Sequence, residues 1–437
     1  MSETLAWNHS NEADGTPAIR FKPYAAYKDS GVQWLGKIPV HWDVKALKRL
    51  SYMQAGMAIT ADDIEATGEF PVFGGNGIRG YAESFTHDGE FPLIGRQGAL
   101  CGCVNFASGR FWASEHAVVV TPQSRVDSHW LRHLLSAMSL NQYSQSAAQP
   151  GLAVETIATI PTPVPPSTEQ RMIAAFVHHQ TTRIDALVEK KERLIELLQE
   201  KRTALITRAV TKGLDPNVPM KDSGVEWLGQ IPAHWDVKRL KNVVPAVTVG
   251  IVVTPSKYYV DEGVPCLRSL NIAQGVVTMT DVVFISSSAN ELHRKSKIFA
   301  GDVLVVRTGK AGTAVVVPQE LDGANCIDLL IIRLSKLTDS RFLYHFINSL
   351  ATSRQVEARS VGAIQEQYNT GTLSELWLAG MTVGEQRAIA AFLDYETEKI
   401  DTLVAKVRDA IERLKELRVA LISAAVTGKI NVQNAAV

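Results

Sequence analysis

Residues 169–211 read EQRMIAAFVHHQTTRIDALVEKKERLIELLQEKRTALITRAVT, and residues 385–427 read EQRAIAAFLDYETEKIDTLVAKVRDAIERLKELRVALISAAVT. The two are one segment written twice, with 24 of 43 positions identical. Neither copy contains glycine or proline, and both are rich in alanine, leucine, glutamate, lysine and arginine, the strong helix formers. At 1.5 Å per residue each helix would span roughly 65 Å. Apolar residues recur at three-four spacing: Ile184, Val188, Ile195, Leu198, Leu205 and Ala209 in the first, and Ile400, Val404, Val407, Ile411, Leu414, Leu421 and Ala425 in the second. That is a coiled-coil stripe. It is interrupted by Lys191 and Arg202 in the first copy and by Arg418 in the second. A stripe this long needs a partner, and the sister helix is the expected one; the alternative is that each helix packs only on its own domain. Ser167-Thr168-Glu169-Gln170 gives the first helix a capping-box pattern, as Thr382 with Glu385 does for the second. Prolines 161, 163, 165 and 166 hold the chain extended before the first helix. The corresponding stretch before the second, LWLAGMTVGEQR, has none, which puts an extended entry there in doubt.

Working outward, a second repeat precedes the helices. KDSGVQWLGKIPVHWDVKALK (28–48) returns as KDSGVEWLGQIPAHWDVKRLK (221–241), identical at 17 of 21 positions. The offset between copies is larger for the helices than for this segment, so the second half carries an insertion between its repeated parts. The organisation is tryptophan segment, dissimilar domain, long helix, then all three again. The shared IPxHWDVKxLK core is expected to supply each domain's entry strand, with Trp42 and Trp235 anchored in a core or at a helix junction.

The 437 residues call for more than one domain, and 46% hydrophobic with 21% charged residues is an ordinary globular balance. No apolar run is long enough to span a bilayer. MSETLAWNHSNEADGTPAIR lacks the basic-then-apolar order of a signal peptide, so a cytoplasmic location is expected. Cys101, Cys103, Cys266 and Cys326 lack metal-ligand spacing and read as reduced thiols. Lysine plus arginine and aspartate plus glutamate are each 45, which argues against coating nucleic acid by bulk charge but leaves room for local basic patches.

The dissimilar regions, about 49–160 and 242–378, read as short strands and turns. FPVFGGNGIRGYAESF places Asn76-Gly77 between β-formers, a hairpin pattern. EFPLIGRQGALCGCVNF and AGDVLVVRTGKAGTAVVV both run strand, Arg-x-Gly turn, strand. Arg96-Gln97-Gly98 and Arg307-Thr308-Gly309 look like counterparts, although Cys101-Gly102 breaks the glycine spacing of Gly309-Lys310-Ala311-Gly312. A helix is expected near 128–138.

Catalytic machinery is not apparent. Asp215-Pro216-Asn217 and Val164-Pro165-Pro166 fail the adenine-methyltransferase pattern, and Gly309-Lys310 lacks a P-loop frame. Glu189-Lys190-Lys191 lies in a charge-rich helix and reads as an exposed face. No triad-like grouping of histidine with serine or cysteine stands out.

The order of these parts resembles the specificity subunit of type I restriction–modification systems, over roughly residues 21–429. The resemblance implies an α+β chain: two mixed α/β target recognition domains joined by two long antiparallel coiled-coil helices, with an internal pseudo-two-fold repeat and a recognition domain at each end. It divides the chain into an N-terminal tail 1–27, recognition domain 28–166, spacer helix 167–212, linker 213–220, recognition domain 221–381, spacer helix 382–428 and C-terminal tail 429–437. It further implies that each domain reads one half of a bipartite, asymmetric double-stranded DNA site. The helices would set the spacer and dock two methyltransferase subunits, with restriction/translocase subunits joining and no membrane involved. Ile184, Val188, Ile195, Leu198, Leu205, Ile400, Val404, Val407, Ile411, Leu414 and Leu421 are the expected coiled-coil and partner interface. The chain itself would carry no catalytic residues, metal or cofactor; S-adenosylmethionine, ATP and magnesium would belong to the partners.

On this reading the DNA-contacting candidates are Asn76, Arg79, Arg96, Gln97, Arg268, Ser269, Asn271, Arg307, Thr308 and Lys310. Arginine pairs bidentately with guanine, and glutamine or asparagine with adenine. Glycines let backbone amides approach a phosphate. The plainer alternative is that these are hairpin turns with solvated arginines. At the level of the whole chain, the rivals are a coiled-coil scaffold whose arms bind proteins, and a specificity subunit that has lost one recognition half.

Overall fold

The computed structural model describes residues 22–98, 100–144, 151–273, 275–359 and 368–433. Most of the expected N-terminal tail and the end of the C-terminal one lie outside them. The fold is α+β, and it divides into two compact units. Unit 1 comprises Met1–Lys191 with Asp409–Val437, and unit 2 comprises Glu192–Arg408. The division cuts both long helices, Ser167–Lys212 and Val383–Val426, so each unit owns one segment of each.

Within unit 1 a six-stranded sheet runs in the order Ser51–Ala55, Ala117–Pro122, His87–Gly95, Val104–Ala113, Phe70–Gly74, Gly77–Ala82. Its pairs are antiparallel except Phe70–Gly74 with Val104–Ala113. Both faces of the sheet are packed: Phe73, Leu93, Phe111 and Val119 are buried in one cluster, and Ile94, Val118 and Val120 in another. Unit 2 is built from two four-stranded sheets instead. One orders Val247–Val249, Leu329–Ile332, Val303–Val306, Ala314–Val316; the other orders Tyr259–Val260, Val283–Ile285, Val264–Leu267, Asn325–Cys326. Val303–Val306 and Leu329–Ile332 are buried at every residue, as their unbroken apolar runs require.

The tryptophan segment is built alike in both units. Tyr27–Asp29 pairs with Lys37–Pro39, and Met220–Asp222 with Gln230–Pro232. Asp43–Ala46 then pairs with Pro161–Val164, and Asp236–Arg239 with Trp377–Gly380. The strand entering each domain is thus tied to the strand leaving it. The second exit is extended without any proline, because its antiparallel pairing to Asp236–Arg239 holds it; the doubt raised by its composition is removed. Trp42 and Trp235 are buried. Each lies against a glycine that ends a helix: a Cβ on Gly428 would sit 3.1 Å from the Trp42 ring, and one on Gly213 3.3 Å from the Trp235 ring. Both glycines have φ +73°, the left-handed end of a helix, so neither accepts a side chain easily.

The repeated Glu-Gln pair explains itself in these contacts. Gln170 accepts from the Asp127 amide at 2.9 Å, and Gln386 from the Asp339 amide at 2.9 Å. Those aspartates cap the helices Ser128–Ala137 and Ser340–Ile347. Glu385 accepts from Trp235 Nε1 at 3.0 Å, from His234 and from Thr382, whose amide and hydroxyl complete the expected capping box. The box expected at Ser167 does not form. Ser167 is already helical, and the position equivalent to Thr382 is Pro166, which has no amide hydrogen to give. Glu169 instead accepts from Tyr24 Oη and pairs with His41 at 2.9 Å.

In each unit the two helix segments run in opposite directions. Ile173 and Phe176 pack in one core with Leu421 and Ala425, while Asp185 meets Arg418. Ile206 and Val210 pack with Ile389 and Leu393, while Arg202 meets Asp401. The arginines that interrupt the stripe are therefore paired: Arg418 Nε lies 2.9 Å from Asp185, and Arg202 Nε 3.1 Å from Asp401. The two pairs are copies, since Asp185 and Asp401, like Arg202 and Arg418, occupy equivalent positions in the repeated helices. Ile184, Ile400, Val404, Val407, Ile411 and Leu421 are buried, and Val188, Ile195, Leu198, Leu205 and Leu414 half-buried.

Two carboxylates of unit 2 tie stability to acid. Burial alone would raise Glu385, but bonds from Trp235, His234 and Thr382 outweigh it and bring the group down to about 2. Asp394 is likewise brought to about 2, burial being outweighed by His345 and Arg341. Carboxylates held below their unfolded values of 4.5 and 3.8 stabilise the fold above those values. That contribution fades as pH falls towards 2, because the unfolded chain takes up protons first. Glu385→Gln and Asp394→Asn should therefore melt well below the parent at neutral pH, and the gap should close on acidification. Melting temperatures at about pH 7 and pH 3 check this; a gap that widens in acid contradicts it.

Candidate nucleic-acid interface

Strand register places the Arg-x-Gly loops. In unit 1, Leu93 pairs with Val119, Ile94 with Val118 and Gly95 with Ala117. One step on, the Arg96 amide donates to His116 O at 2.9 Å. In unit 2, Val305 pairs with Leu330 and Val306 with Leu329. One step on, Arg307 stands beside Asp328, and its Nη1 donates to Oδ1 at 2.8 Å. Arg96 and Arg307 thus leave corresponding strands at the same point, with His116 and Asp328 facing them.

The uncertain glycine register also resolves. Gly102 donates to Gly95 O at 2.8 Å, and Gly312 to Val306 O at 2.9 Å. Gly98 and Gly309, at φ +88° and +85°, occupy the turn, and Gly102 and Gly312, at +89° and +84°, close it. The first loop is one residue longer, inserted between its two glycines.

In unit 1 the hairpin tip joins this loop. Gly75 and Asn76 connect Gly74 to Gly77, and Gly77 has φ +97°. A Cβ on Gly95 would lie 2.1 Å from Gly75 O, so the two backbones touch where only glycine fits. Asn76 and Gln97 are exposed and Arg96 is half-buried. Arg79 is exposed on the hairpin's second strand, its side chain lying over Gly74.

In unit 2, Thr308 Oγ1 also reaches Asp328, at 3.3 Å, and Thr308 and Lys310 are exposed. Leu267 pairs in parallel with Cys326, so Arg268 follows beside Ile327 and Asp328, next to the Arg307 loop. Arg268 Nη2 donates to Asp281 O at 2.6 Å, and Ser269 is half-buried. Asn271 must be withdrawn as a base-reading candidate. It is fully buried, its amide donating to Thr278 O and Thr280 O and its oxygen accepting from the Arg268 amide. Its work is to shape the turn.

Sequence reading missed a second loop on the same edge. Gly56 donates to Ala117 O at 2.9 Å, and Gly250 to Leu329 O at 2.8 Å. Met57 and Ile251 then make equivalent parallel bridges, to Ser114 and Ile327. A Cβ would meet Ala113 O at 2.2 Å on Gly56 and Cys326 O at 2.5 Å on Gly250. The signal was present as GMAIT (56–60) against GIVVT (250–254). Met57, Val252 and Val253 are exposed there.

Elsewhere the titratable groups are structural. Burial pushes the Cys266 thiol up to about 12, raises Cys101 and Cys326, and lowers His345. Burial also takes His133 down to about 3, with Arg132 adding to it. Among the described residues no group of histidine, cysteine and carboxylate side chains could hold a metal ion, and no helix is long and apolar enough to cross a membrane.

Comparison with known proteins fits this geometry. Residues 39–197 match the family model described as the type I restriction modification DNA specificity domain. Over that stretch, rather more than a third of its length, the chain carries the sequence of a type I restriction–modification specificity domain. Among curated proteins similar to it, the EcoprrI specificity subunit of Escherichia coli is 42% identical over 176 residues, 39% of this chain and 44% of that protein. The MjaVIII specificity subunit of Methanocaldococcus jannaschii is 23% identical over 303 residues, 68% of each chain. The E. coli match thus spans less than half of its relative's length. The chain also shares its fold with a solved structure described under complex assembly and conformational transition of the type I R-M system, at TM-score 0.65 and 17% identity, covering 89% of this chain and 98% of that one. The HsdS subunit of Thermoanaerobacter tengcongensis gives 0.51 at 16% identity, covering 90% and 98%.

Proposed function

We propose that this chain is the non-catalytic DNA-specificity subunit of a type I restriction–modification complex. Residues 28–166 read one half of a bipartite site and residues 221–381 the other. The observation that carries this is the placement of Arg96 and Arg307 on corresponding strand ends, in loops whose remaining residues differ. Identical mounts with different exposed side chains suit two readers of different sequence. Asn76, Arg79, Arg96 and Gln97 form the first reading edge; Arg268, Ser269, Arg307, Thr308 and Lys310 form the second.

The two long helices pair as one antiparallel coiled coil with pseudo-two-fold symmetry and fix the gap between half-sites. Leu187 and Leu403 occupy equivalent positions in the two copies, and both are more than two-fifths exposed on the helices. Apolar side chains repeated on both helices suit docking of two copies of one partner, the methyltransferase subunit. Restriction/translocase subunits join that core in the cytoplasm, and the partners carry S-adenosylmethionine, ATP and magnesium.

The test is methylome sequencing of a host expressing the chain with its methyltransferase partner. A split motif with two constant halves and a fixed gap is expected. Arg96→Ala should weaken discrimination in one half only and Arg307→Ala in the other, each by about 1–3 kcal/mol. Absence of any methylated motif rejects the proposal and favours a protein-binding scaffold.

A further inference from the structure

We infer that Asp328 is a specificity-determining positioning residue that aims Arg307 at a guanine. This rests on the proposed reading of the Arg307 loop. Asp328 adopts φ +52°, a left-handed conformation that few residues besides glycine and asparagine or aspartate tolerate. The backbone there is pinned, since the Asp328 amide donates to Ile251 O at 3.2 Å. From this fixed point one oxygen accepts from Arg307 Nη1 at 2.8 Å and the other from Thr308 Oγ1 at 3.3 Å. Thr308, donating to the second oxygen, thereby steadies the carboxylate that orients Arg307.

The chemistry selects what this arrangement presents. Guanidinium carries five N–H donors in a fixed plane. With Nη1 engaged by Asp328, the Nε–Nη2 edge keeps two parallel donors, which match O6 and N7 of guanine. An arginine held in one rotamer loses less freedom on binding than a free one. Side-chain exposures of 38% for Arg307 and 35% for Asp328 leave the pair open to a groove. The facing residue in unit 1 is His116, whose Nε2 lies 3.1 Å from Glu115 Oε1. Arg96 therefore lacks a carboxylate at the corresponding position, and the two half-sites are read through differently braced arginines.

The experiment uses the whole chain with its methyltransferase partner and scores methylation at every single-base variant of the motif. Asp328→Asn keeps a residue that tolerates the left-handed backbone, and Asp328→Gly takes that conformation freely. Both should fold. Arg307→Ala should relax one guanine position; Asp328→Asn and Asp328→Gly should relax that same position and no other, by about tenfold. Added to Arg307→Ala, Asp328→Asn should have no further effect, because the two residues act as one unit. A uniform loss of methylation across all sites, or an intact preference at that position, overturns the positioning role while leaving the Arg307 reading standing. An Arg307→Ala profile identical to the parent overturns both.

Discussion

Trp42→Ala is expected to destabilise unit 1 by about 3–5 kcal/mol, the usual range for emptying a buried tryptophan site. Trp42 is fully buried, makes an edge contact with Tyr24 at 5.9 Å between ring centres, and covers Gly428. Its loss removes the surface on which the entry strand, the helix end and the segment around Tyr24 all meet. A domain with roughly 5–15 kcal/mol in hand loses a large share of it. Trp235→Ala should act similarly in unit 2. Phenylalanine separates the two sites. Trp42 Nε1 has no hydrogen-bond partner among the described residues, so Trp42→Phe loses packing alone. Trp235 Nε1 donates to Glu385 at 3.0 Å, so Trp235→Phe also leaves a carboxylate short of a donor, at a cost of about 1.5–3 kcal/mol. Urea midpoints of the four variants measure this. Equal losses for the two phenylalanine variants would show that the Glu385 bond contributes nothing.

Much of this frame was legible because repetition and periodicity are one-dimensional signals. Two near-identical segments fold alike, and a three-four stripe in a chain without glycine or proline has few outcomes besides a helix. The capping box at Ser167 misled because the pattern of residue types fits two registers, and only the alignment to Thr382 reveals Pro166 at the cap. The proline-poor exit strand misled for the opposite reason. Its extended form comes from pairing with Asp236–Arg239, a partner so distant in sequence that local composition does not record it.

The reading edges were half legible. Arg-x-Gly between strands marks a turn, and both arginines were found that way. They already read as counterparts in the sequence; only the glycines that close the loops needed the backbone hydrogen bonds, because the first loop is the longer of the two. Asp328 and His116 were invisible, since each is remote from its arginine in sequence and reaches it only through a neighbouring strand. Asn271 looked like a base reader because asparagine is one; burial decides that it is not. Gly56 and Gly250 were overlooked because the domains were read as dissimilar throughout, although their Gly-x-x-x-Thr stretches match.

Deleting one heptad from both helices, residues 188–194 together with 404–410, is expected to shorten the gap between half-sites and leave every recognised base unchanged. A whole heptad preserves the apolar phase, so Ile195 moves into the place of Val188 and Ile411 into that of Val404. The matched deletion also preserves both ion pairs. The run forward from Asp185 to Arg202 on the first helix is as long as the run back from Arg418 to Asp401 on the second. Removing a heptad from each span keeps the two pairs on one register. Removing it from one helix alone misaligns one pair by about 10 Å. The exposed pairs contribute little energy individually, about 0–1 kcal/mol, yet an arginine inside an apolar stripe strongly disfavours any register that leaves it unpaired. The single-helix deletion should therefore melt well below the matched one. A heptad corresponds to about 10 Å of helix, so the gap should shrink by about one to three base pairs at roughly 3.4 Å each. Methylome sequencing reads the gap and the bases in one experiment. An unchanged gap would refute the helices as the measure of spacing, and altered bases would move base recognition from the strand-end loops to the helices.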